Sequence, residues 1–150
     1  MKKGEKIPAL KLKDQHGQEI DLRKRAEGNN LVVFFYPKDF TPGCTKEACS
    51  FRDSYEDFRD LGAEVIGISS DSEDSHSSFS KKYRLPYPIL SDPDKKARKA
   101  FDVKPNLLGL LPGRETFVFS NKAELIHNFN SMNAGKHISE ALAVLKRNQR

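Results

Sequence analysis

The stretch Leu31-Val32-Val33-Phe34-Phe35-Tyr36-Pro37-Lys38-Asp39-Phe40-Thr41-Pro42-Gly43-Cys44-Thr45-Lys46-Glu47-Ala48-Cys49 changes character halfway along. Its first six residues are aliphatic or aromatic, rich in β-branched side chains, and read as a buried strand. The second half reads as a helix start. Thr41 is a good N-cap, and Pro42 suits the first helical position, where its missing N–H has no partner to lose. Gly43 is then the second helical residue and Cys44 the third. First-turn N–H groups point outward unpaired, and the helix dipole places partial positive charge there. Both effects stabilise a thiolate, the nucleophilic form of cysteine. Cys44 is therefore the first candidate for chemistry.

The helix continues with a clear period. Cys44, Ala48, Phe51, Tyr55 and Phe58 form one apolar stripe, and Gly62 is placed to end the helix after Leu61. Cys49 lies about 140° around the axis from Cys44, on a more polar side with Arg52, Asp53 and Glu56. In a regular helix the two cysteine α-carbons are roughly 8.7 Å apart, beyond the ~7 Å that a disulfide tolerates. The two can bond only if the first turns unwind.

Outward from this stretch, strand and helix signals alternate. On the N-terminal side, Ile7–Leu12 and Glu19–Leu22 flank a turn at residues 14–18 and predict a β-hairpin, followed by a polar connection over 23–30. On the C-terminal side the pattern predicts a strand over 64–69, a polar helix over 73–82 capped from residues 70–72, and a short strand over 89–91. A short helix over 94–101 is expected next, with Pro93 at its start, and then a loop with apolar content over 103–113. Strands over 115–120 and 124–129 make an antiparallel hairpin, although its turn, Asn121-Lys122-Ala123, lacks the expected glycine. Ile138, Ala141, Leu142 and Leu145 mark a C-terminal amphipathic helix. Strand–helix alternation closing on a hairpin predicts an α/β fold, a mixed sheet with helices on both faces.

With 150 residues, one compact domain is expected. No run reaches the length of a membrane span. Met1-Lys2-Lys3-Gly4-Glu5-Lys6 is followed by no apolar signal core, so the expected location is the cytoplasm, or an organelle if a targeting segment has been removed. The net charge of +5 comes with basic clusters such as Arg23-Lys24-Arg25 and Lys95-Lys96-Ala97-Arg98-Lys99. Acidic neighbours and the lack of interleaved aromatic residues make these a solvated surface, not a specific nucleic-acid site. Two cysteines and four scattered histidines do not supply a familiar metal-ligand spacing, and no metal or cofactor is expected.

Pro37, Thr41 and Cys44 stand as Pro-x-x-x-Thr-x-x-Cys at the end of a strand. This resembles the active-site signature of the peroxiredoxins, and the run from Tyr36 to Thr45, with Cys49 five residues after Cys44, is similar to the Q type, the bacterioferritin comigratory proteins. Leu110-Leu111-Pro112-Gly113-Arg114-Glu115-Thr116-Phe117 resembles the segment carrying the family's active-site arginine. The resemblance spans nearly the whole chain and implies a thioredoxin-like fold. It implies that Cys44 attacks hydrogen peroxide or an alkyl hydroperoxide, and that the resulting sulfenic acid is resolved by Cys49 as an intramolecular disulfide. Thioredoxin or a similar dithiol would then restore the thiols, with the protein working as a monomer. Thr41 would hydrogen-bond both peroxide and thiolate, Pro37 would shield the sulfur, and Arg114 would fix the thiolate and polarise the peroxide. The backbone N–H groups of Gly43 and Cys44 would stabilise developing negative charge.

Each residue also has a plainer reading: Thr41 as a cap, Pro37 as a strand terminator, Arg114 as a surface charge, Cys49 as a spare helical cysteine. A disulfide oxidoreductase on the same fold would leave Thr41 and Arg114 without a task, and its two cysteines would be closer in sequence. A non-catalytic binding or chaperone-like module would need no reactive thiol at all.

Overall fold

The structure, a computed structural model, describes residues 1–104 and 113–149. The strands are β1 (Lys11–Lys13), β2 (Glu19–Asp21), β3 (Asn30–Phe35), β4 (Ala63–Ser69), β5 (Ile89–Ser91), β6 (Glu115–Phe119) and β7 (Leu125–Asn130). The helices are α1 (Leu22–Arg25), α2 (Pro42–Asp53), α3 (Tyr55–Asp60), α4 (Glu73–Tyr83), α5 (Lys96–Ala100) and α6 (Ala134–Asn148). The strands form one seven-stranded sheet in the order β2-β1-β5-β4-β3-β6-β7. Pairing is parallel for β3·β4 and β4·β5 and antiparallel elsewhere, so the mixed sheet expected from the sequence is present.

The apolar run at 31–36 is central and buried on both faces because successive side chains alternate. Val32, Phe34 and Tyr36 join a core with Phe51, Phe58, Phe79, Ile138 and Leu145. Leu31, Val33 and Phe35 join a second core with Leu22, Ala97, Phe101 and Leu125 on the opposite face. Helices therefore cover both sides of the sheet, and the start of α2 sits where the central strand ends.

Several boundaries differ from the sequence reading. The N-terminal hairpin forms, but its first strand begins only at Lys11. The expected connection after it opens with α1, because the Asp21 side chain accepts from the Lys24 N–H and caps a turn. The single helix expected from Thr41 to Leu61 is broken at Ser54, a weak helix former whose φ of −101° and ψ of 8° are not helical. Gly62 does follow the break-off at Leu61 with a φ of +70°. The helix expected from residue 94 begins at Lys96, and Pro93 does not start it. The Asp92 carboxylate reaches past Pro93 to accept from the N–H groups of Ala97 and Arg98. In the β6–β7 turn Ala123 takes the left-handed place, with φ of +63°, that a glycine was expected to fill. The N-terminal segment holds it there, the Ile7 N–H donating to the Ala123 carbonyl at 2.8 Å. Leu107-Leu108-Gly109-Leu110-Leu111, read as an apolar loop, lies outside the described residues.

Candidate active site

Strand register assembles the site. Phe35 pairs with Glu115, so Arg114 arrives beside the end of β3, where α2 begins. A second arginine, Arg98, fixes that approach from below. It donates to the Tyr36 carbonyl at 2.9 Å and to the Gly113 carbonyl at 3.0 Å, tying the strand end to the residue before Arg114.

Cys44 is buried in the first turn of α2, only 1% exposed. The Arg114 guanidinium reaches it across 70 residues of chain, with Nη2 at 3.4 Å from Sγ. Nη1 donates to the Gly43 carbonyl at 3.4 Å and to Glu47 Oε1 at 2.7 Å. The missing side chain of Gly43 has a clear use: a Cβ there would stand 3.0 Å from Arg114 Nη2. The guanidinium thus sits over the helix start with its charge against the sulfur.

Thr41 holds the N-cap position with extended dihedrals, but its side chain does not cap the helix. The hydroxyl donates instead to the Lys38 carbonyl at 2.7 Å. That hydroxyl can still accept a hydrogen bond, and among the described residues no side-chain cap closes the N-terminus of α2. Pro37 is half-buried at the strand exit. Cys49 is half-buried on the same helix, unbonded to Cys44. Burial pushes its thiol up, with Asp53 adding to the effect and Arg52 opposing it. The structure thus gathers Cys44, Gly43 and Arg114, flanks them with Pro37 and Thr41 along the chain, and leaves Cys49 apart.

Glu47 escaped the sequence reading. It is fully buried, one helical turn beyond Cys44, and among the described residues its Oε2 has no hydrogen-bond partner. Burial pushes its carboxyl up to about 8, against the downward pull of Arg114. Behind it lies His137 of α6, also fully buried, with Nδ1 3.7 Å from Glu47 Oε2. His137 Nε2 faces the Ser131 carbonyl at 2.6 Å, and Nδ1 faces Thr116 Oγ1 at 2.7 Å. That pairing suits a neutral ring donating from Nε2, and burial lowers its proton affinity accordingly. The only sequence signal for Glu47 was a carboxylate three residues after Cys44, close to the apolar face of the helix. For His137 there was none.

A second buried polar cluster holds the loop between β3 and α2. Asp39 Oδ1 accepts from Tyr36 Oη at 2.6 Å, while Oδ2 contacts His76 Nδ1 at 2.6 Å and accepts from Ser75 Oγ at 2.8 Å. His76 Nε2 faces the Leu90 carbonyl at 3.1 Å, so both ring nitrogens face oxygen acceptors. Asp71 Oδ2 accepts from the Asp39 N–H and from Ser69 Oγ. Asp39, Asp71 and His76 are near enough together to hold a cation, but their polar atoms are largely spent on one another and on this loop.

A buried cysteine at a helix start, pressed against a guanidinium on a mixed sheet with helices on both faces, defines a thiol-based redox enzyme of thioredoxin-like fold. Comparisons narrow the class. Residues 3–128 match the AhpC/TSA family. The chain is 51% identical over 146 residues to the chloroplastic peroxiredoxin Q of Sedum lineare, covering 96% of this chain and 77% of that one. It is similar in structure to the peroxidoxin BcpB of Mycobacterium tuberculosis, with 37% identity, a TM-score of 0.89, and 98% and 97% of the two chains covered. The bacterioferritin comigratory protein of Xanthomonas campestris superposes with a TM-score of 0.88 at 33% identity, over 99% of this chain and all of that one (100%). The chain belongs to the AhpC/TSA family and, within it, to the peroxiredoxins of the Q type: it is a thiol-dependent peroxidase. Among the described residues no helix is long and apolar enough to cross a membrane.

Proposed function

We propose that Cys44 is the peroxidatic cysteine and Cys49 the cysteine that resolves it, within a single domain acting as a monomer. The observation that carries this reading is the 3.4 Å contact between Arg114 Nη2 and the buried Cys44 sulfur. The Cys44 thiolate attacks one oxygen of hydrogen peroxide or an alkyl hydroperoxide. The S–O bond forms as the O–O bond breaks, and the leaving oxygen takes a proton to become water or an alcohol. Arg114 and the uncapped N–H groups of Gly43 and Cys44 hold the charge that develops on the oxygens. Thr41 accepts a hydrogen bond from the incoming peroxide, and Pro37 covers the strand side of the pocket.

The sulfenic acid on Cys44 then meets the thiol of Cys49. The new S–S bond forms, and the hydroxyl leaves with a proton as water. Both cysteines stand in the wound helix α2, where their α-carbons are roughly 8.7 Å apart, so this step requires the helix to open. Thioredoxin or a similar dithiol reduces the disulfide by exchange. Such a donor places the protein in a reducing compartment, the cytoplasm or an organelle; plant relatives carry chloroplastic in their names.

Stopped-flow peroxide consumption with thiol tagging tests the assignment. Cys44→Ser is expected to abolish reaction with peroxide. Cys49→Ser is expected to keep the first oxidation and to accumulate a sulfenic acid with no intramolecular disulfide. Rapid peroxide consumption by Cys44→Ser overturns the reading.

A further inference from the structure

Opening α2 requires breaking whatever holds its second turn, and one side chain does so directly. Tyr87, 1% exposed, donates its hydroxyl to the Ala48 carbonyl at 2.6 Å. Ala48 immediately precedes Cys49. In a regular helix that carbonyl also serves the N–H four residues on, so the phenol is a second bond placed on the turn that must unwind.

Tyr87 itself cannot follow the helix outward. Its ring packs edge-on to Phe34 at 5.7 Å and against Tyr55 at 6.1 Å. Its backbone is held by Gln15, whose Nε2 donates to the Tyr87 carbonyl at 3.1 Å and whose Oε1 accepts from the Ile89 N–H at 2.9 Å. Gln15 also reaches Ser80 Oγ at 3.2 Å. The turn of the N-terminal hairpin thereby anchors the connector between α4 and β5. At the end of α4, just before this connector, the Tyr83 carbonyl accepts from Arg52 Nη1 at 2.6 Å, one turn further along α2.

We infer that Tyr87 is a positioning residue for the resolving step, a latch that keeps the Cys49 turn wound and sets how long the oxidised Cys44 waits. The inference rests on the assignment of Cys44 and Cys49 above. When α2 opens, the Tyr87 hydroxyl loses its acceptor while its ring stays buried. Opening then costs both the hydrogen bond and the stranding of a polar group. Opening also exposes Cys49 and relieves the burial that holds its thiol up. A tighter latch thus means slower disulfide formation and a longer exposure of the sulfenic acid to a second peroxide, which carries it on to sulfinic acid.

Tyr87→Phe removes the latch and leaves the ring. Rapid-quench kinetics of the reduced protein are expected to show oxidation of Cys44 at the wild-type rate. Disulfide formation should be about five- to tenfold faster, the effect of one buried hydrogen bond. The peroxide concentration giving half sulfinic acid should rise by a similar factor. Hydrogen exchange over residues 45–52 of the reduced protein should accelerate likewise. Phe119→Leu, in the core on the opposite face, controls for lost stability and should leave the resolving rate unchanged. Disulfide formation by Tyr87→Phe at the wild-type rate, or equal acceleration in Phe119→Leu, overturns the latch. Cys49→Ser run beside them separates the two levels. If the sulfenic acid on Cys44 disappears in Cys49→Ser as fast as in the wild type, or the peroxide-treated wild type forms no intramolecular disulfide, the assignment of Cys49 fails and the latch with it. If Cys49→Ser stalls at sulfenic acid while Tyr87→Phe resolves as wild type, the latch alone fails.

Discussion

Replacing Glu47 by Gln keeps an oxygen for Arg114 Nη1, now 2.7 Å from Oε1, and removes only the ability to ionise. The carboxyl is fully buried, and burial raises it from an ordinary 4.5 to about 8 despite Arg114. The folded protein therefore holds a proton on Glu47 that the unfolded chain releases much earlier. A raised carboxyl contributes stability that is complete below the unfolded value and is lost as pH rises through the folded one. Between pH 4.5 and about 8 the wild type should lose stability relative to Glu47→Gln, with a slope of about 1.4 kcal/mol per pH unit. Above about pH 8 the difference should level off. Urea unfolding of both proteins across this range reads it directly. The same ionisation has a kinetic consequence. Once Glu47 carries charge, the Arg114 guanidinium is shared between two buried anions and does less for the sulfur and the departing oxygen. The second-order rate with peroxide should fall on the alkaline side of about pH 8 in the wild type and not in the variant. A stability difference that stays flat from acid to neutral pH, or an alkaline fall that persists in Glu47→Gln, refutes this account.

Three further outcomes follow from the contacts around the sulfur and in the loop that leads to it. Arg114→Lys cannot serve Cys44 and Glu47 together with one ammonium, and the peroxide rate should drop by about a hundredfold while the fold persists; near-normal stopped-flow rates would contradict the proposed role. Gly43→Ala places a Cβ 3.0 Å from Arg114 Nη2, so the guanidinium must give by a few tenths of an ångström at the atom that faces the sulfur. The rate should fall about tenfold with little change in the melting temperature, since alanine is the better helix former. His76→Leu leaves Asp39 Oδ2 buried without its imidazole partner at 2.6 Å, and should lower stability by about 1–3 kcal/mol by denaturant titration.

Local chemistry wrote the parts of the fold that could be read. Leu31 to Tyr36 is long, apolar and β-branched, and it became β3, an interior strand of the sheet. Ser72 preceded a polar helix and does cap it, accepting from the Ser75 N–H. What could not be read came from side chains acting at a distance. Asp92 reaches beyond Pro93 to start α5 at Lys96, so the usual proline rule misplaces the helix. Ala123 accepts a left-handed conformation because Ile7, far away in sequence, bonds its carbonyl. The site divides in the same way. Cys44 and its place in the first turn follow from Thr41-Pro42-Gly43 alone. Arg114 as a partner needed the family likeness, because only the antiparallel register of β6 on β3 brings it there. Apart from the spacing of Glu47 from Cys44, Glu47, His137 and Tyr87 carry no local signature of their roles; each is decided by which buried atom stands opposite.

The two restraints on α2 differ in kind, and the difference gives the catalytic cycle a direction. The first turn is held electrostatically: Arg114 reaches both the Cys44 sulfur and the Gly43 carbonyl. That grip depends on the charge of the sulfur. On the proposed reading, oxidation converts the thiolate to a neutral sulfenic acid, so the first reaction itself loosens the turn that carries its product. The second turn is held by a neutral hydrogen bond from Tyr87 to the Ala48 carbonyl, which does not sense the oxidation state of Cys44. Before peroxide arrives, both restraints act and the site stays assembled for attack. After oxidation the contact to the sulfur weakens, and the Tyr87 bond remains at full strength. Oxidation thus removes the charge-dependent part of the grip on the first turn, while the Tyr87 bond, beside those from Arg114 to Glu47 and from Arg52 to the Tyr83 carbonyl, still holds the helix; Tyr87 is the one of these that bonds the carbonyl next to Cys49.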